Sequence, residues 1–76
     1  MIQEQDIRDA IKAAGVDVDP YKIPADKPFK DAGLDSLDVF NSLLEVEKLT
    51  GQEIPDDDFD KVQSISALLA YIHNGQ

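Results

Sequence analysis

Apolar residues recur at helical spacing in several stretches of the chain, and nowhere do they alternate as they would along a strand. In the first stretch, Ile7, Ile11 and Ala14 fall at i, i+4 and i+7, and Gly15 follows as a helix stop. The last stretch begins after Ser64, a suitable N-cap, and spaces its apolar residues at i, i+3, i+4 and i+7: Ile65, Leu68, Leu69 and Ile72. Both patterns predict amphipathic helices that bury one face.

The middle of the chain predicts one longer helix and one short one. The longer helix is expected from Ser36 to Thr50 and ends at Gly51. Its expected inward face is wide: Leu37, Phe40, Leu43, Leu44 and Val46. Pro55 then interrupts the chain, and residues 56–62 predict a short helix with acidic residues at its N-terminal end. Together the elements predict an all-α fold, a small four-helix bundle of three main helices and one short helix.

A long connection separates the first two helices. Residues 16–35 show no sustained period, and Pro20, Pro24 and Pro28 exclude a continuous helix there. Apolar residues are nevertheless spread along this loop: Val16, Val18, Tyr21, Ile23 and Phe29. We expect them to pack the loop against the helices, and loops of this length in a compact domain are usually functional or linkers.

Composition and charge exclude several classes of function. The 76 residues include 16 acidic and 7 basic side chains, for a net charge of −9, which opposes binding to nucleic acid and to anionic membranes. The chain has no cysteine and a single histidine, His73, so neither a structural zinc site nor a Ser-His-Asp hydrolase is expected. The acidic run 56–60 lacks the ligand spacing of an EF-hand, and we predict no metal site.

The start of the chain and its hydropathy bear on location. The first residues show no export signal, and no apolar run is long enough to cross a membrane. We therefore expect a cytoplasmic monomer. Its acidic surface predicts protein partners that carry Lys and Arg patches.

One serine has a setting suited to chemistry, in the segment Gly33-Leu34-Asp35-Ser36-Leu37. It follows a glycine-broken loop and starts the longest predicted helix. A helix N-terminus offers free N–H groups and a favourable dipole to an anion, so this is a suitable position for a phosphate ester. The structural alternative is that Ser36 only caps the helix, since serine is a preferred N-cap.

Three segments, in order and at these spacings, resemble the acyl carrier proteins. Phe29–Asp38, with the sequence FKDAGLDSLD, is similar to the family's phosphopantetheine-attachment motif, and Glu53–Asp58 and Ser64–Ile72 are similar to its later landmarks. The resemblance covers the chain and implies a single carrier domain over residues 1–76, with no catalytic activity of its own. It also implies a 4′-phosphopantetheine arm on Ser36, flanked by Asp35 and Leu37, that carries acyl groups as thioesters. The implied partners are a phosphopantetheinyl transferase and enzymes that load and process acyl groups.

Further expectations concern the surfaces around that arm. We expect four acids to dock basic partner surfaces: Asp38, Glu45, Glu47 and Asp56. We expect five apolar residues to line an acyl cleft, which their bulk makes small: Phe40, Leu44, Phe59, Val62 and Leu68. Asn41 and Lys48 depart from the acidic pattern of housekeeping fatty acid carriers and favour a specialised pathway. Two alternatives stay open, an aminoacyl or peptidyl carrier and an unmodified acidic interaction module.

Overall fold

The computed structural model describes residues 2–74. Its helices, in chain order, are α1 (Glu4–Ala13), the 3-10 helices η1 (Pro20–Lys22) and η2 (Phe29–Ala32), α2 (Ser36–Thr50), the 3-10 helix η3 (Asp56–Lys61) and α3 (Ile65–His73). No strand occurs within residues 2–74, and none of the helices described there is long and apolar enough to span a membrane. The predicted all-α bundle of three main helices and one short helix is confirmed, and the short helix is of the 3-10 type.

The core lies where one face of each α-helix meets the others. Ile7 and Ile11 of α1 and Ile65 and Leu68 of α3 are fully buried, as their spacing predicts. α1 packs against both α2 and α3. Burying a side chain of this size stabilises the fold by about 1.5–3 kcal/mol relative to leaving it exposed. These residues therefore hold the bundle together.

The long first connection is packed onto the bundle, as predicted. Ile23 and Phe29 are buried, while Val16 and Val18 are half-buried against the core. The Phe29 N–H donates to the Gln63 carbonyl oxygen at 2.7 Å, which ties η2 to the segment before α3.

Tyr21 is the exception among the expected anchors. Its side chain is 45 % exposed, and its hydroxyl donates to the Asp9 carboxylate on the surface of α1. Arg8 of α1 anchors this part of the loop in its place. The Arg8 guanidinium donates to the carbonyl oxygens of Pro20 and Ile23, at 2.6 and 2.7 Å. Neither contact has a local sequence signal, because each joins residues more than ten positions apart.

The orientation of α2 differs from the prediction. Leu43 and Val46 are buried as expected, but the inward face is completed by Val39 and Ser42. Three residues assigned to the core lie on the outside instead: Leu37, Phe40 and Leu44, with exposures of 64, 46 and 40 %. Successive residues turn by about 100° in a helix, and apolar residues occur around most of α2, so periodicity alone did not identify the buried side. Ser42 tolerates burial because its hydroxyl donates to the Asp38 carbonyl oxygen at 2.8 Å.

Candidate functional site

The loop before α2 fixes the position of the helix start. Gly33 ends η2 in the left-handed region, with a φ of 97°, and a Cβ there would lie 3.1 Å from a methyl group of Val18. Leu34, the next residue, is buried in the core. The positive φ therefore favours glycine at the turn, and a Cβ there would press on Val18. The buried leucine anchors the chain one residue before the cap of α2.

Asp35, and not Ser36, is the N-cap of α2. Its Oδ1 accepts the Asp38 N–H at 2.8 Å, and Asp38 Oδ2 accepts the Asp35 N–H at 3.3 Å, which together form a capping box. The interpretation of Ser36 as a simple helix cap is therefore wrong. With the cap supplied by its neighbour, Ser36 is the first residue of the helix.

The Ser36 side chain is exposed, and its hydroxyl makes no hydrogen bond within residues 2–74. The N–H groups of Ser36 and Leu37 likewise have no acceptor in that part of the chain. Such first-turn N–H groups, with the positive end of the helix dipole, favour an anion. The residues present thus fit a phosphate ester on Ser36, because the hydroxyl is accessible and donors for phosphate oxygens lie beside it.

His73 is remote from Ser36, at the opposite end of the bundle. It is the last residue of α3, its Nε2 lies 2.8 Å from the Ile2 carbonyl oxygen, and it borders a surface depression with Thr50, the last residue of α2. The 15 residues of α2 span about 22 Å at 1.5 Å each. No histidine therefore lies beside Ser36 among the described residues. Within those residues no group of three or more His, Cys, Asp or Glu side chains is arranged to hold a metal ion.

An apolar stripe runs along the exposed face of α2 from the serine. It consists of Leu37, Phe40 and Leu44, at i, i+3 and i+7, and we call it the outer stripe. Phe40 and Leu44, which were predicted to line an acyl cleft, are 46 and 40 % exposed and lie outside the buried core in this conformation. The other residues predicted for the cleft do face the interior: Val62 and Leu68 are fully buried, and Phe59 is half-buried against the core.

The four acids predicted to dock partners differ in how they are used within the chain. Asp38 belongs to the capping box. Glu45 pairs with Lys48 at 3.2 Å, and Glu47 Oε2 accepts the Ile54 N–H at 2.6 Å. Only Asp56 is exposed without a side-chain hydrogen bond or ion pair inside residues 2–74. Substitution of Asp38 or Glu47 would disturb the fold as well as the surface, whereas Glu45 makes only a surface ion pair.

A further polar contact was not anticipated. The Tyr71 hydroxyl on α3 donates to Asp58 Oδ2 on η3 at 2.6 Å, and Lys61 lies 3.2 Å from the other Asp58 oxygen. The Tyr71 hydrogen bond, helped by Lys61, holds the pKa of Asp58 below its usual value, and the same hydrogen bond raises the pKa of Tyr71. The two residues are 13 positions apart in different elements, so no periodic pattern could have paired them.

Comparison with known proteins bears on this site. A family model described as the phosphopantetheine attachment site matches residues 5–72. Over 56 residues the chain is 43 % identical to acyl carrier protein 2, mitochondrial, of Arabidopsis thaliana. The aligned region covers 72 % of this chain and 44 % of the relative, so the chain spans less than half of that protein's length.

Proposed function

The chain belongs to the acyl carrier protein family, whose members are carriers and not enzymes, and from this premise we propose that it holds acyl intermediates as thioesters on a 4′-phosphopantetheine arm attached to Ser36. The family carries this group covalently. The arm supplies a thiol, which the chain itself lacks because it contains no cysteine.

The observation that carries the proposal is the state of Ser36. Its hydroxyl is exposed and unbonded within residues 2–74, while Asp35 supplies the helix cap. A serine that capped the helix would have its oxygen committed to a backbone N–H. Here the oxygen is accessible to a transferase, and the Ser36 and Leu37 N–H groups are available to the phosphate oxygens. Asp35 precedes Ser36 in the chain, and we expect its carboxylate to help orient the metal ion of the transferase.

The outer stripe and the surrounding acids support a docking surface for partner enzymes. Leu37, Phe40 and Leu44 give that surface an apolar centre next to the attachment site. Asp56 contributes free negative charge, and the net charge of −9 attracts basic surfaces over the distance that salt permits, about 8–10 Å. The partner chemistry we propose is an apolar depression bordered by Lys and Arg, on the transferase and on the enzymes that load and process the acyl group.

Pathway and location are predictions of a finer kind. We propose a role in fatty-acid-like or specialised biosynthesis, with Asn41 and Lys48 on α2 favouring a dedicated partner set. The name of the Arabidopsis relative assigns that protein to mitochondria. A cytoplasmic location for this chain, its monomeric state and its extent as a single domain over residues 1–76 stay predictions.

The test is covalent modification in vitro. The protein is incubated with coenzyme A, Mg²⁺ and a broad-specificity phosphopantetheinyl transferase, and its intact mass is measured. We expect one phosphopantetheine mass on the parent protein and none on Ser36→Ala. Ser66→Ala is the matched control, because Ser66 is also an exposed serine in the first turn of a helix. Modification of Ser36→Ala, or failure of the parent to gain mass, would refute the proposal.

The cargo is then identified on the native protein. The mass of the chain isolated from its own cells distinguishes an acyl group from an aminoacyl or peptidyl group. An unmodified mass in those cells, together with no gain in vitro, would favour an interaction module.

A further inference from the structure

η3 is attached to the bundle differently from every other helix in residues 2–74. Each of the others contributes at least one buried residue, whereas no residue of Asp56–Lys61 is buried. Phe59 is its one apolar contact with the core, and that side chain is only half-buried. The buried residues that anchor this segment, Ile54 and Val62, lie on either side of η3, so the helix itself is held to the bundle by Phe59 and by polar contacts.

Those polar contacts lie at both ends and in the middle of η3. Before it, Glu47 of α2 accepts the Ile54 N–H at 2.6 Å. After it, the Gln63 carbonyl oxygen accepts the Phe29 N–H at 2.7 Å, and the Gln63 side-chain amide donates back to the Phe59 carbonyl oxygen of η3 at 2.6 Å. In the middle, the Tyr71 hydroxyl donates to Asp58 at 2.6 Å, and within residues 2–74 this is the side-chain hydrogen bond that joins η3 to α3. The chain is thus fixed on both sides of η3, and one side-chain hydrogen bond holds the middle of η3 to α3. When that bond breaks, η3 can move away from the core while its flanking residues stay in place.

The interior behind η3 has no free entrance in this conformation. Val62, at the end of η3, and Leu68 on α3 have no exposed surface. An apolar chain that enters the bundle is stabilised by the removal of its CH₂ groups from water, but an element of the bundle must move to admit it. Moving an α-helix would expose at least two buried residues, whereas moving η3 would expose only the half-buried Phe59 among its own residues. η3 is therefore the element that can move with the smallest loss of buried apolar surface.

We infer that the hydrogen bond from Tyr71 to Asp58 is a latch that sets how readily η3 lifts, and that Tyr71 is thereby a positioning residue for the acyl group of the loaded carrier. The inference rests on the proposed function for its cargo, but the latch itself is a property of the unloaded chain. Asp58 accepts the bond as a carboxylate, and Lys61 at 3.2 Å keeps that charge oriented within η3. Charge-assisted hydrogen bonds of this kind are stronger than neutral ones.

The chain offers a matched control for this latch. Tyr21 also donates a hydroxyl to an aspartate on another helix, Asp9, and also fastens a 3-10 helix to an α-helix. Tyr71→Phe and Tyr21→Phe thus remove equivalent bonds from η3 and η1. Asp58→Ala breaks the latch from the other side, and the double variant Tyr71→Phe/Asp58→Ala tests whether the two residues act as one pair.

Amide hydrogen exchange measures the latch in the unloaded protein. The reporting amides are Asp58 and Val62, which donate within η3 to Pro55 and Phe59 at 2.9 and 3.3 Å. We expect Tyr71→Phe to speed their exchange about fivefold, which corresponds to about 1 kcal/mol, while Tyr21→Phe leaves them unchanged. Asp58→Ala should speed the Val62 amide similarly, and the double variant should add little. Equal exchange of the Val62 amide in Tyr71→Phe and the parent would overturn the inference.

Loading measures the consequence for the cargo. With a long acyl chain on Ser36, the parent loses the latch as η3 lifts, whereas Tyr71→Phe has already lost it. The gain in melting temperature on loading should therefore be larger in Tyr71→Phe than in the parent by about 4–8 °C, and Tyr21→Phe should match the parent. Equal gains in both tyrosine variants would overturn the role in cargo positioning. A parent that gains no phosphopantetheine mass would refute the proposed function instead, and the exchange result on unloaded protein separates the two failures.

Discussion

Replacing Asp35 separates two roles that one carboxylate plays, the N-cap of α2 and the negative charge beside Ser36. Asp35→Ala removes both roles, because the Asp38 N–H loses its acceptor at 2.8 Å. Asp35→Asn keeps the cap and removes only the charge, since asparagine and aspartate cap helices about equally well. Asp31→Asn is the matched control, because Asp31 is an exposed acid in η2 that takes no part in the capping box.

The magnitudes follow from the contacts. Replacing an aspartate N-cap by alanine costs about 1 kcal/mol, which in a domain of this size lowers the melting temperature by about 4–8 °C. The Asp38 side chain also loses its counterpart in the capping box, so we expect the upper part of that range. Asp35→Asn should cost only the interaction of the charge with the helix dipole, which is small at an exposed position. Asp31→Asn should leave the melting temperature near that of the parent.

The assays are thermal unfolding and the initial rate of modification at Ser36. If the carboxylate orients the metal ion of the transferase, Asp35→Asn is modified slowly although it is folded, whereas Asp31→Asn is modified at nearly the parent rate. An Asp35→Ala protein that melts with the parent would refute the capping argument. An Asp35→Asn protein modified as fast as the parent would refute the charge argument and leave Asp35 a purely structural residue.

Four other predictions follow from the same structure. Phe40→Ala should lower the free energy of unfolding, measured with denaturant, by less than about 1 kcal/mol, because 46 % of Phe40 is exposed. Leu68→Ala should lower it by about 2–5 kcal/mol because it leaves a cavity. Similar losses in the two variants would contradict the assigned orientation of α2. The Tyr71 hydrogen bond and Lys61 lower the pKa of Asp58 in the folded chain. The resulting stabilisation is present above the ordinary pKa of an aspartate and is lost as the pH falls through the lowered pKa. Tyr71→Phe should reduce this loss of stability at acid pH, and an unchanged pH dependence would show that the contact is not formed in solution. Asp56→Lys should slow modification with no loss of helicity by circular dichroism, and added salt should slow the parent more than the variant; rates indifferent to both would remove charge from the docking account. Added salt or millimolar Mg²⁺ should raise the melting temperature of the parent by screening a net charge of −9, and no change would mean that repulsion does not limit its stability.

Much of the fold could be predicted because local signals agreed with the packing. α1 and α3 have apolar stripes about one face and polar residues elsewhere, so their period identifies the buried side. Ser64 caps α3 through a hydrogen bond from the Ala67 N–H at 3.0 Å, and Gly51 ends α2 in the left-handed region, both as their residue types suggest. Where a residue type has one strong local preference, the end of the helix could be predicted from the sequence.

The candidate site could be predicted only in part, and the physical reason differs from residue to residue. Ser36 could be proposed from the sequence as the attachment site because a motif and a helix start coincide at it. Its cap was assigned less well, since Asp35 and Ser36 are both good N-caps and adjacent; only the capping box of Asp35 with Asp38 decides between them. The roles of Glu47 and Asp58 depend on partners in other elements, Ile54 and Tyr71, and such pairings leave no trace in the spacing of one segment.

The orientation of α2, which differs from the prediction, also bears on the proposed function. A helix that is apolar around most of its circumference can bury either side, and here the buried side includes a serine while three larger apolar residues face outward. Full burial of a large apolar side chain stabilises a fold by about 1.5–3 kcal/mol. Leaving the outer stripe partly exposed therefore gives up several kcal/mol of folding free energy. The partly exposed residues of this stripe add less to folding than core residues do, and the stripe is a liability for solubility that the strong net charge offsets. Because the stripe starts at the residue after Ser36, the docking that we propose on it would also bring a partner to the proposed attachment site.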